Sequence, residues 1–139
     1  MKKQLPEKTF DVQSIEIYAN YKKAFDFIAE PKNLPLWTKA FTKVEKESAT
    51  MVTENGEINI KLETIISKDL GIIDWVMTMP DGSIGKAFSR ISENGKTSIY
   101  TFTLLAPPVP LEELEGTLKI QKLLLAQELM KLKSILEVN

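Results

Sequence analysis

The stretch that decides the fold is residues 71–105, GIIDWVMTMPDGSIGKAFSRISENGKTSIYTFTLL. Apolar and polar side chains alternate with a period of two, and Asp81-Gly82 and Asn94-Gly95 interrupt the alternation. Such pairs suit the positive backbone angles of tight hairpin turns. The segment therefore reads as three antiparallel strands, Gly71–Met79, Ile84–Glu93 and Thr97–Leu105. Treated as two-residue loops, the turns set Trp75 opposite Phe88 and Ser89 opposite Tyr100, and opposed residues share a face. One face then holds Ile73, Trp75, Met77, Lys86, Phe88, Arg90, Ile99, Thr101 and Thr103. The other holds Ile72, Asp74, Val76, Gly85, Ala87, Ser89, Ile91, Tyr100, Phe102 and Leu104. This second face has a single charge and small residues that leave volume, so it is expected to point inward.

The same period extends upstream through Phe41–Glu47, Thr50–Glu54 and Glu57–Ser67, with Ile58, Ile60, Leu62, Thr64 and Ile66 directed inward. Thr9–Tyr18 reads as a first strand. Phe10 and Val12 fall on one parity and Ile15 and Ile17 on the other, which predicts a bulge near Gln13-Ser14. Asn20 is placed to cap a helix whose apolar face is Tyr21, Ala24, Phe25 and Ile28, ended by Pro31. Asn33 to Trp37 reads as a second short helical turn capped by Asn33. After the breaker Pro107-Pro108-Val109-Pro110, a long helix is predicted over about Leu111–Glu137, striped with Leu111, Leu114, Leu118, Leu125, Leu129, Leu132 and Leu136. A seven-stranded antiparallel sheet cannot bury one face alone, so this helix is expected to lie across its concave side. The expected class is α+β, one domain over residues 1–139: a curved sheet wrapped around a long C-terminal helix, with two short helices after the first strand.

Composition narrows the chemistry. The chain has 139 residues, 18 Lys+Arg against 19 Asp+Glu, and neither His nor Cys. Near-neutral charge argues against a nucleic-acid partner. Without His or Cys there is no thiolate nucleophile, no usual metal ligand and no usual neutral-pH base, so no cofactor is expected. No apolar run is long enough for a membrane span, which makes a cytoplasmic location the default and stable membrane insertion unexpected.

The order of elements, with particular short motifs, resembles the SRPBCC superfamily, which includes START lipid-transfer domains, birch-pollen-allergen-like proteins and polyketide cyclase/dehydrase-like proteins. The matching residues are Ile15 to Ala19, Ala24 to Ala29, Asn33 to Trp37, Asp81-Gly82, Tyr100 to Leu104 and Leu129 to Glu137. The resemblance spans nearly the whole chain. It implies the helix-grip fold and a deep cavity for a hydrophobic small molecule, without specifying an activity.

Six residues are expected at a ligand site. Asp74, as a carboxylate facing an apolar pocket, reads either as an acid/base or polar anchor, or as a group bonded to a hydroxyl or to backbone. Tyr100 offers a hydroxyl to a ligand carbonyl or to a structural partner. Phe102 shares its face. Gln121 interrupts the leucine stripe between Leu118 and Leu125, and either meets the ligand or bonds a strand hydroxyl. Leu125 belongs to the helix face turned to the sheet. Trp37 sits where the entrance to such a cavity is expected, as a wall or as a packing anchor. Ile120, Leu123 and Leu124 lie off the main stripe and suggest burial by a homodimer partner. The leading expectation is binding or transport of a lipid- or polyketide-like molecule. The alternatives are a cyclase/dehydratase-like enzyme in which Asp74 or Tyr100 moves a proton, and a co-chaperone- or ribosome-associated interaction module.

Overall fold

The computed structural model describes residues 9–53, 56–105 and 111–138, with the backbone alone over 111–117. Its elements are β1 (Phe10–Ile17), α1 (Tyr21–Ala29), a 3-10 turn (Pro31–Asn33), α2 (Leu34–Trp37), β2 (Phe41–Val44), β3 (Ser48–Thr53), β4 (Gly56–Ser67), β5 (Ile72–Thr78), β6 (Ile84–Asn94), β7 (Thr97–Leu105) and α3 (Leu111–Leu136). The strands form one seven-stranded sheet in the order β1-β7-β6-β5-β4-β3-β2. Every neighbouring pair is antiparallel. Because β1 and β2 are the two edges, the α1–α2 segment must carry the chain from one side of the sheet to the other. The breaker at 107–110 and Asn55 lie outside the described residues.

Asn20 caps α1 as its position implies, accepting from the Lys23 N–H at 2.8 Å. Asn33 makes no cap hydrogen bond to α2. Its side-chain amide instead donates to the Phe27 carbonyl at 3.0 Å, pinning the 3-10 turn to the end of α1. Lys68 pairs with Asp26 at 2.8 Å and the Tyr21 hydroxyl donates to the Lys68 carbonyl, so α1 is held against the β4–β5 loop.

The expected bulge in β1 is absent. Pairing with β7 runs without interruption from Phe10↔Leu105 to Ile17↔Ser98. The inward parity is Asp11, Gln13, Ile15 and Ile17, whereas Phe10 and Val12 point outward and are 46% and 51% exposed. Two polar residues occupy inward positions because α3 satisfies them. Gln13 donates to Asp11 at 2.8 Å and to the Lys122 carbonyl at 3.0 Å, and Lys122 pairs with Asp11 at 3.8 Å. Apolar alternation alone therefore misplaces the strand.

Two hairpins set the faces of the central sheet. Asp81-Gly82 is not a two-residue loop. The Gly82 N–H donates to the Met79 carbonyl and the Met79 N–H to the Ser83 carbonyl, both at 2.9 Å, which makes a three-residue loop with Gly82 at φ +89°. One extra residue slips the register by one, so Asp74, not Trp75, opposes Phe88. In β5 it is therefore Ile73 and Trp75 that face inward, and Asp74 that faces outward. The β6–β7 turn lies one residue later than expected, at Gly95-Lys96, shifting the pairing by two and leaving the faces unchanged. Ser89, Ile91, Tyr100 and Phe102 are buried. Gly71, at φ +73°, immediately precedes β5 where a Cβ would lie 2.1 Å from the Ile91 carbonyl oxygen, so only glycine lets the two backbones approach.

The core lies between the concave face and α3. Leu118, Leu125, Leu129, Leu132 and Leu136 are each 5% exposed or less. Leu125, Leu129, Leu132 and Leu136 meet a layer that includes Ile17, Leu62, Ile73, Ile91 and Tyr100. Burial of one such leucine contributes about 1.5–3 kcal/mol.

Candidate functional site

The concave face carries a continuous aromatic row. Trp75 stacks on Phe102 with centroids 6.0 Å apart. Phe102 meets Tyr100 edge-on at 6.4 Å, and Tyr100 meets Trp37 edge-on at 6.5 Å. The register builds it: Trp75 lies opposite Ala87, a small side chain on β6, leaving the indole room to reach Phe102 on β7. Trp37 arrives from α2. These four rings are at most 9% exposed.

Polar atoms in this row lack protein partners. Trp37 Nε1, Trp75 Nε1, Tyr100 Oη and Thr64 Oγ1 are buried with no hydrogen bond. Thr64 is the cross-strand neighbour of Trp75. Buried donors in native proteins are almost always paired, and each orphan costs about 1–3 kcal/mol. The Ser89 hydroxyl donates to the Ile73 carbonyl, so its proton is committed. Burial pushes the Tyr100 phenol well above its ordinary range, an effect the Ser89 hydroxyl partly offsets and the Asp74 charge reinforces. At neutral pH this group is a hydrogen-bond donor and not a base.

Of the six expected site residues, Trp37, Tyr100, Phe102 and Leu125 are brought together in the buried layer. Gln121 is half-buried on α3, beside that layer. Asp74 is a correction: it lies on the outer face, where its Oδ1 accepts the Ser89 N–H at 3.1 Å. There it lines a shallow groove of about 230 Å3 with Phe88, Arg90, Thr101 and Thr103. The two alternative proton movers expected for a cyclase, Asp74 and Tyr100, thus lie on opposite faces of the sheet. Trp75 and Thr64, which bring buried polar atoms to this row, were not among the expected residues, Trp75 because the slipped hairpin had turned it outward.

A second groove of about 300 Å3 runs between α2 and α3, lined by Pro35, Trp37, Thr38, Lys39, Leu124, Gln127, Glu128 and Lys131. Trp37 belongs to both this groove and the aromatic row, so the two are separated by one indole. Glu128 latches the segment after α2 to α3, accepting from the Thr38 hydroxyl at 2.9 Å and the Lys39 N–H at 2.7 Å. Beyond the row, Met77 and Met79 are half-buried and their Cε atoms reach over Gly85, adaptable side chains where β6 has none. No helix among the described residues is long and apolar enough to cross a membrane.

No protein-family model and no curated protein matches the sequence. Solved structures do. The di-domain ARO/CYC BexL from the BE-7585A biosynthetic pathway superposes with TM-score 0.70 at 12% identity, over 91% of this chain and 46% of that one. A START superfamily protein from Mycobacterium smegmatis gives 0.65 at 10% identity, over 94% and 98%. The Aha1 dimer from Colwellia psychrerythraea gives 0.60 at 17% identity, over 94% and 98%. With its seven-stranded curved antiparallel sheet gripping a C-terminal helix, the chain has the helix-grip fold and is similar in fold to these solved structures.

Proposed function

We propose that this protein binds or carries a hydrophobic small molecule, lipid- or polyketide-like, against the aromatic row between the sheet and α3. The observation that supports this most is the set of buried, unpartnered polar atoms on Trp37, Trp75, Tyr100 and Thr64. A largely apolar surface with a few convergent polar groups is what small-molecule sites present. The groove beside Trp37 is the route of entry, with the Glu128 latch at its rim. The half-buried methionines give the site room to adjust. Gln121 and Leu125 complete it from α3. The test is saturable uptake of N-phenyl-1-naphthylamine with quenching of tryptophan emission, together with native mass spectrometry of the freshly purified protein. Saturable uptake that an extract of the co-purified mass displaces is expected. Neither uptake nor a retained mass would overturn the reading.

One observation favours a second reading, an interaction surface. Ile120, Leu123 and Met130 on the outer side of α3 are 60%, 62% and 58% exposed, enough to seat a partner, including a second copy. Sedimentation velocity of the wild type and Leu123→Lys tests it. A concentration-dependent dimer lost in the variant supports a homodimer, and a monomer in both removes it.

A further inference from the structure

The unpartnered groups in the aromatic row specify more than an oily guest. Resting on the binding reading above, we infer that the ligand is an uncharged molecule carrying at least one hydrogen-bond-accepting oxygen, of ketone, quinone or ester type, held by Trp75 and Tyr100.

The inventory of the inner face carries this. An indole N–H only donates, so Trp75 and Trp37 demand acceptors. The Ser89 hydroxyl proton is spent on the Ile73 carbonyl, and Tyr100 keeps its own proton, so this hydroxyl too is free to donate. A pure hydrocarbon guest would leave these donors orphaned, at full cost. An anion fares worse. Among the described residues no lysine or arginine is buried, and the buried charged side chain is Asp11, a carboxylate. Of the partly exposed cations, Lys122 is already paired with Asp11 at 3.8 Å, and Lys39 and Lys131 line the entry groove outside Trp37. A fatty-acid head group would therefore enter an interior without a free counter-charge and with a like charge present. The stacked and edge-on rings at 6.0–6.5 Å suit a flat, conjugated guest, whose π-face can join the row while its oxygen reaches the donors.

Three probes of nearly equal shape separate the possibilities: 2-acetylnaphthalene as neutral ketone, 2-ethylnaphthalene as hydrocarbon and 2-naphthoate as anion. Their affinities are read from tryptophan quenching or by calorimetry on the full chain. The ketone is expected to bind roughly tenfold more tightly than either of the others, a difference of about 1.4 kcal/mol. Tyr100→Phe and Trp75→Phe are each expected to narrow the ratio of ketone to hydrocarbon affinity. Should the tryptophan variant not fold, the tyrosine variant alone decides, because it deletes one atom. Equal affinities, a preference for naphthoate, or an unchanged ratio in Tyr100→Phe would overturn the inference and leave the binding reading standing. If none of the three probes binds, the inference falls, and naphthylamine uptake and the retained mass decide the binding reading separately.

Discussion

Tyr100→Phe removes a single oxygen from a fully buried ring and keeps the edge-on contacts with Trp37 and Phe102. In most proteins a buried tyrosine hydroxyl is paired, and its loss costs about 0.5–1.5 kcal/mol. Here the hydroxyl makes no well-formed hydrogen bond, only a weak polar contact with the Ser89 side chain, so it imposes a desolvation cost of about 1–3 kcal/mol with little in return. The variant is therefore expected to be more stable than the wild type by about 1 kcal/mol without added ligand, and to bind the ketone probe more weakly. With a urea m-value of about 2 kcal/mol/M, the unfolding midpoint rises by roughly 0.5 M. The hydroxyl also has a pH signature. Burial raises the folded phenol above its ordinary value of 10.0, so the folded state holds the proton more tightly. Its contribution is fully present below pH 10 and is lost as the pH climbs above it, with a limiting slope of about 1.4 kcal/mol per unit. Tyr100→Phe should flatten that alkaline fall. Urea unfolding followed by circular dichroism measures both effects. A midpoint that drops in the variant by as much as it was expected to rise would show that the hydroxyl is bonded within the protein, and the argument for a waiting donor would be wrong.

Three further outcomes are expected. Gly71→Ala forces a Cβ against the Ile91 carbonyl and strains a φ of +73°, so it should lose at least about 2 kcal/mol in the same urea assay; a loss under half of that would contradict the close approach. Glu128→Ala releases the Thr38 and Lys39 contacts and should speed both uptake and release of N-phenyl-1-naphthylamine in stopped flow; unchanged rates would move the entrance away from α2. Asp26, hydrogen-bonded by Lys68, should titrate below the ordinary carboxylate range by carbon-detected NMR and move up in Lys68→Met; an unmoved titration would mean the α1 tether is not formed in solution.

The architecture was legible because turn residues and period-two alternation are local signals, and residues 71–105 contain three strands' worth of both. The buried side of the aromatic row was legible only where register did not matter. The inward position of Tyr100, Phe102, Trp37 and Leu125 followed from the face of a strand or helix taken singly. Asp74 and Trp75 exchanged places because Asp-Gly serves equally in a two-residue loop and in the three-residue loop closed by Gly82, and a one-residue difference inverts a strand. The β4–β5 loop held a clue. With Ile60 and Leu62 facing inward, the connection from Ser67 to Ile72 carries Trp75 inward as well, in agreement with the observed pairing of Thr64 with Trp75. In β1 the misleading signal was chemical. Asp11 and Gln13 look like surface residues until Lys122, more than a hundred residues later, is brought beside them.

The central claim is that a small molecule settles against the aromatic row and engages its donors. The chain has two tryptophans, both in that row, so a proton–nitrogen NMR spectrum contains two indole N–H signals that report on it directly. On titration with 2-acetylnaphthalene, the account predicts that the Trp75 indole proton, and with it Trp37 at the entrance, moves downfield and saturates. Indole signals that stay in place while the ketone is added in excess would contradict it.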